Sequence, residues 1–191
     1  MCDLVQIMIK NTTNPAAIRS RNALATSLVS LLLERPLKDI TIEDITSSAG
    51  LSRQTFYTNF SQKEDILENS LNQLFSMFIN GLPKLPETLE EMLAVYFEFW
   101  SGHKKFLSVL FDNQLSHIFA IDNIFLFKNE FSFYAKKGAK SQDELPYLEN
   151  YLAGLTFQLL RTWQQNAWKE ETETIVHLAC RLLKGDFLIE K

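Results

Sequence analysis

The stretch Asp39-Ile40-Thr41-Ile42-Glu43-Asp44-Ile45-Thr46-Ser47-Ser48-Ala49-Gly50-Leu51-Ser52-Arg53-Gln54-Thr55-Phe56-Tyr57-Thr58-Asn59-Phe60 contains two short helical segments divided by a glycine. The first is expected over Thr41–Ala49, with Ile42, Ile45 and Ala49 turned inward. Gly50 closes it, because glycine takes a positive φ without steric cost. Ser52 then caps a second segment over Ser52–Thr58 by accepting a bond from a first-turn amide that has no helical partner. Ala49 is small where two helix axes must cross, and Leu51 fills the gap between them. Two helices crossed about a tight turn are the mechanical content of a helix-turn-helix, whose second helix lies in the major groove of DNA.

The surroundings extend the helical pattern. Upstream, Ala25, Leu28, Val29 and Leu32 recur at helical spacing over 15–35. Pro36 stops that helix, since proline disfavours the helical conformation in the residue before it. Asn11-Thr12-Thr13-Asn14-Pro15 marks off a flexible tail, residues 1–16, whose one cation is Lys10. Downstream, Ser61 and Glu64 have the spacing of a capping box. They open a longer helix with Leu67, Leu71, Leu74 and Phe78 as its stripe, ended by Gly81-Leu82-Pro83. A second capping box, Thr88 with Glu91, starts a helix to about Ser101. Further helices are predicted near 103–112 and 116–136, from before Pro146 to about Trp168, and over 174–183. No alternating strand pattern stands out, so the fold class is all-α: a three-helix DNA-binding head over 17–80 and a helical regulatory and dimerisation body over 81–191.

The helix-turn-helix stretch resembles the tetracycline-repressor family, whose pattern is roughly T-x-x-x-I-A-x-x-A-G-x-S-x-x-T-x-Y-x-x-F-x-x-K-x-x-L. Thr41, Ile45, Ala49, Gly50, Ser52, Thr55, Tyr57, Phe60, Lys63 and Leu67 match in register and without gaps. Thr46 stands where the family usually has alanine, and Thr58 where many members carry a cation. The likeness covers about residues 18–70 and is architectural beyond. It implies a DNA-binding transcriptional repressor, acting as a homodimer on a palindromic operator. Residue chemistry makes Ser52, Arg53, Gln54 and Thr58 the groove-facing candidates: arginine can bridge O6 and N7 of guanine, and glutamine can pair with adenine. By resemblance Thr55, Tyr57 and Lys63 face phosphates, with Thr41 at the start of the preceding helix. Such contacts fix register and carry no sequence information of their own. Phe56 and Phe60 belong to the core.

The same likeness gives the body its expected roles. Twelve aromatic residues fall between Tyr96 and Tyr134. They can line a cavity for an apolar or aromatic small-molecule effector, with Phe97, Trp100, His117 and Phe125 as candidates, or pack as plain core. Tyr151, Leu152, Leu155 and Leu159, with Ile175, Leu178, Ala179 and Leu182, are expected to pair with their copies across a two-fold axis. An intrachain core is the alternative. Trp163 and Trp168, five apart on one helix, would lie on different faces.

Bulk properties constrain less. The chain has 191 residues, a formal net charge of −4 and a hydrophobic fraction of 46%, within the range of ordinary globular proteins. Residues 1–70 carry seven lysines and arginines against eight acidic residues, so the head has no overall basic footprint. Cys2 and Cys180 have no metal-ligand or disulfide spacing. His103, His117 and His177 are scattered, and neither a phosphate loop nor a nucleophile elbow is present. An enzyme, a metal centre and a cofactor are therefore not expected. No apolar run reaches membrane-spanning length and no secretory signal opens the chain, so a cytoplasmic location is expected. A helical adaptor, or a regulator controlled by a protein partner, is the alternative to ligand-controlled repression.

Overall fold

The computed structural model describes residues 14–185, all of whose regular structure is helical. The expected tail falls almost wholly outside the described residues, Cys2 and Lys10 included. By its contacts the chain divides into two compact units, Met1–Met77 and Phe78–Lys191, and the division falls within one helix.

In the first unit, α1 spans Pro15–Leu32. Asn14 caps it, accepting from the Ala16 amide at 3.0 Å, and Pro15 occupies the first helical position, where a missing N–H costs no bond. The helix ends three residues before the expected Arg35. The amides of Leu33 and Glu34 turn back to Ser30 and Leu31, which tightens the chain into Pro36. Its buried stripe is Leu24, Ser27, Leu28 and Leu32, with Ala25 and Val29 half-buried beside it. A 3-10 turn at Leu37–Asp39 leads to α2 (Ile42–Ser48), α3 (Arg53–Asn59) and α4 (Glu64–Gly81). Ile45, Phe56, Ile66, Leu67 and Leu71 form the core of this unit with Leu24 and Leu28.

The start of α4 differs from the expected Ser61–Glu64 box. The carboxylate that receives the amides of Ser61 (2.8 Å) and Gln62 (3.1 Å) belongs to Asp65. Thr88 and Glu91, in contrast, form the predicted reciprocal box.

The second unit holds α5 (Leu89–Ser101), α6 (Lys104–Asp112), α7 (Ser116–Asn129), α8 (Ser132–Gly138), α9 (Leu145–Gln165) and α10 (Thr172–Lys184). α7 packs along α9, and α10 along α5. The single helix expected over 116–136 is two helices. Glu130 and Phe131 both donate to the Leu126 carbonyl, which breaks the regular register. Phe131 is thereby fully buried against Phe78, Phe127 and Tyr134. A polar layer crosses this core: the Tyr96 hydroxyl donates to Asn123 Oδ1 at 2.8 Å, and Asn123 Nδ2 donates to the Ala153 carbonyl and to Thr156 Oγ1.

The aromatic residues of the body mostly fill it. Phe97 and Trp100 are fully buried among rings, with Trp100 4.9 Å from Phe119. His117 is exposed and Phe125 half-buried, so the four candidates differ in burial. Trp163 and Trp168 are not on separate faces of one helix. α9 stops at Gln165, and Ala167 and Trp168 take φ of 56° and 57°, folding the Trp168 ring back to 5.3 Å from Trp163. There its indole N–H donates to Ser108 Oγ at 3.0 Å.

Of the residues expected at a two-fold face, Leu152, Ile175 and Ala179 are buried inside the unit. Tyr151 and Leu178 are exposed, and Leu155, Leu159 and Leu182 are half-buried. Tyr147, one turn before Tyr151, is 78% exposed. Among the described residues no helix is long and apolar enough to cross a membrane.

Candidate nucleic-acid interface

Three of the four ends of the two short helices are fixed by local bonds that the sequence implies. Thr41 Oγ1 accepts from the Asp44 amide at 3.1 Å, and Asp44 accepts from the Thr41 amide at 2.8 Å. Arg35 adds an ion pair to Asp44 at 2.9 Å. The amide and hydroxyl of Thr41, and then Arg35, hold the Asp44 carboxyl below its ordinary pKa. At the other end of α2, Gly50 has φ of 65° and its amide bonds to Ser47, while the Leu51 amide returns to Thr46. This pair of bonds is a Schellman stop, and it turns the chain into α3 within two residues. The substituted position packs as expected, because Thr46 is buried and its hydroxyl donates to the Glu43 carbonyl.

Ser52 caps α3 through the Thr55 amide at 3.1 Å, and its hydroxyl lies 2.9 Å from that of Thr55. Phe56 is the inward residue of α3, wholly buried. Phe60 caps its C-terminal end and is also buried. The outward side carries Arg53, Gln54, Tyr57 and Thr58, all exposed. The ring of exposed Tyr57 stands edge-on to that of Phe56, with centroids 5.3 Å apart. Thr58 spends its hydroxyl proton on the Gln54 carbonyl, 2.9 Å away, so its γ-oxygen presents an acceptor. Thr55 is half-buried. The structure thus brings Ser52, Arg53, Gln54, Tyr57 and Thr58 onto one short helix and its cap, with Thr41 at the head of the helix before it.

Lys63 has a different environment. Its ammonium donates to the carbonyls of Leu37 (2.5 Å) and Ile40 (2.7 Å), and its side chain is half-buried. Two further residues had no sequence signal. Arg21 on α1 donates through Nε to Asn59 Oδ1 at 3.2 Å and lies over the Phe60 ring, while Asn59 Nδ2 donates to the Thr55 carbonyl. They are 38 positions apart, and no local spacing announces a bond across that separation. Among the described residues no group of three or more His, Cys, Asp or Glu could hold a metal ion.

Residues 27–69 match the family model described as bacterial regulatory proteins, tetR family. The chain is 32% identical over 104 residues to the HTH-type transcriptional regulator EthR of Mycobacterium tuberculosis and of Mycobacterium bovis. That match takes in 50% of this chain and 48% of the relative, so the chain spans about half the length of the curated relatives it matches. Among solved structures, Lin0861 from Listeria innocua superposes with a TM-score of 0.77 at 18% identity, covering 95% of this chain and 97% of that one. The fatty acid degradation regulator FadR from Bacillus halodurans gives 0.63 at 14% identity, covering 91% and 96%. The dihydroxyacetone kinase operon activator DhaS gives 0.63 at 20%, covering 91% and 99%. These structures share the fold. Residues 27–69, which hold the intact helix-turn-helix, thus carry the likeness to the tetR family of bacterial regulatory proteins.

Proposed function

We propose that this protein is a sequence-specific DNA-binding regulator of transcription, a homodimeric repressor of a palindromic operator. One observation carries this reading: the outward side of α3 exposes Arg53, Gln54, Tyr57 and Thr58 while its inner side is locked by Phe56 and the Ser52 cap. A rigid short helix with a polar outer side and no acidic residue suits a groove lined by phosphates. Arg53 and Gln54 are the base-reading residues, each able to form a two-pronged bond with a purine edge. Thr58 offers an acceptor where a cation would otherwise seek phosphate, which suits a cytosine amine or a water bridge. Thr41, Ser52, Thr55 and Tyr57 supply hydroxyls to the backbone and fix register.

A seven-residue recognition helix reads few base pairs, so two heads on one duplex are needed, with half-sites about one helical turn (~34–36 Å) or a multiple apart. The second copy is held through Tyr147, Tyr151 and Leu155 of α9 and Leu178 and Leu182 of α10, the apolar side chains those helices leave uncovered or half-covered. Release by a small apolar or aromatic ligand completes the reading. Such a ligand acts only by binding the DNA-free arrangement better than the bound one.

Selection of bound sequences from a random duplex pool tests the proposal: a palindrome is expected, and its affinity should fall when either half-site is scrambled. The rival reading, an adaptor that does not bind DNA, is favoured by the excess of acidic over basic residues in the head. A pool that shows no enrichment would establish that rival.

A further inference from the structure

We propose that Lys63 serves DNA binding as a positioning residue, clamping the outer ends of the helix-turn-helix together rather than contacting phosphate. The inference rests on the DNA-binding reading above. Two of the three ammonium N–H groups of Lys63 are committed to the carbonyls of Leu37 and Ile40, which belong to the turn just before Thr41, the cap of α2. Lys63 itself follows Phe60, the C-terminal cap of α3, by three residues. The ammonium therefore joins the entry of α2 to the exit of α3, bridging 26 and 23 positions of sequence.

The intervening turn is also committed. Ser61 and Gln62 donate their amides to Asp65 Oδ2, the partner that free amides at a helix start would otherwise find in a phosphate. A phosphate arriving there would have to displace a carboxylate of its own charge sign. The two accepting residues are themselves fixed, because Leu37 and Ile40 are buried. With the clamp in place the two helices keep one crossing angle, and that angle sets how α3 enters the groove. Losing the clamp misaligns Arg53 and Gln54 with base edges while leaving nonspecific attraction to the backbone in place.

The experiment compares the parent, Lys63→Met and Lys63→Arg on two duplexes: the operator selected by the parent, and a scrambled one. For Lys63→Met the operator affinity is expected to fall about tenfold, the scale of one lost base contact, with the scrambled duplex little changed. The slope of log affinity against log salt should stay as in the parent. Lys63→Arg should restore most of the affinity, because a guanidinium can also donate to two carbonyls. Equal weakening on both duplexes, with a slope reduced by about one, is the signature of a lost phosphate contact and overturns the proposal. Parent-like operator affinity in a folded Lys63→Met overturns it as well. A parent that selects no duplex removes the DNA-binding reading, and the inference with it.

If Lys63→Met does not fold, lysine acylation of the parent decides, read by mass spectrometry against exposed Lys140. A clamp predicts slow reaction at Lys63 both free and on the operator. Fast reaction in the free protein with protection only on DNA would return Lys63 to the phosphates.

Discussion

Replacing Asn123 by leucine should destabilise the second unit by about 2–4 kcal/mol, and replacing its partner Tyr96 as well should recover part of that loss. Asn123 has no exposed surface, and three hydrogen bonds hold it: the Tyr96 hydroxyl at 2.8 Å, the Ala153 carbonyl at 2.8 Å and Thr156 Oγ1 at 3.1 Å. Each such bond contributes about 1 kcal/mol net, and a buried group left without a partner costs about 1–3 kcal/mol more. The added apolar surface of leucine offsets a fraction of this. Tyr96 is fully buried, and burial pushes its phenol well above the ordinary value, so it remains a neutral donor that needs an acceptor. Its hydroxyl also faces Thr156 and Trp100, which keeps the orphaning penalty toward the lower end of that range. Tyr96→Phe alone should cost about 1–2 kcal/mol. In Tyr96→Phe/Asn123→Leu both ends of the bond are gone, and the pair should cost about 1 kcal/mol less than the sum of the singles. Urea unfolding at fixed protein concentration measures all four proteins. Tryptophan fluorescence is a suitable signal, because Trp100, Trp163 and Trp168 all lie in the second unit. Additivity within about 0.5 kcal/mol would refute the reasoning, since it would mean the hydroxyl and the amide do not depend on each other.

Arg53→Ala should weaken operator binding by about 1–3 kcal/mol and relax preference at one base step, measured at matched salt. An unchanged sequence preference would remove Arg53 from the base-reading set. Tyr151→Glu should shift the protein toward monomer in light scattering, because a carboxylate facing its own symmetry mate is both desolvated and near a like charge. A folded variant that stays dimeric would place the interface elsewhere. Asp44 should make the head less stable in acid. Its pKa lies below the ordinary 3.8, so its stabilisation is complete above that value and is lost as pH falls through the lowered one. Asp44→Asn should flatten that part of the melting-temperature profile, and an unchanged profile would show that the Thr41 and Arg35 bonds contribute nothing to folding.

The head was legible because its determinants are local. Thr41, Gly50 and Ser52 act on backbone within three residues of themselves, and each does in the structure what its residue type requires. The start of α4 departs from the pattern through competition between neighbours. Glu64 and Asp65 both stand near the amides of Ser61 and Gln62, and the carboxylate one position further along takes both. Lys63 fits the phosphate pattern by type and place, yet its carbonyl partners lie over twenty positions away and leave no trace in the spacing. In the body, aromatic content showed that much surface must be buried but not against what. Rings able to line a cavity are equally able to fill one, and here Phe97 and Trp100 fill it.

The stripes on α9 and α10 show how far periodicity can be taken. Leu152, Leu155 and Leu159, or Ile175, Leu178 and Leu182, lie close enough in angle that a single apolar stripe describes them. A helix in a two-layer interface, however, has two apolar sides, one for its own unit and one for a partner. Leu152 and Ile175 turn inward, each about one turn from a residue that does not. The sequence carries a mark of this division at its edge. Tyr147 and Tyr151 are aromatic residues with a polar tip, suited to surfaces that are wet in one state and dry in another, whereas the inward members of the two stripes, Leu152, Ile175 and Ala179, are aliphatic or small. The exposed Tyr147 and Tyr151 of α9 thus suit the change of solvent that the proposed dimer requires. Under the proposed homodimer the outward side of α9 joins two heads, and a seven-residue recognition helix would gain operator specificity from a second copy fixed beside it.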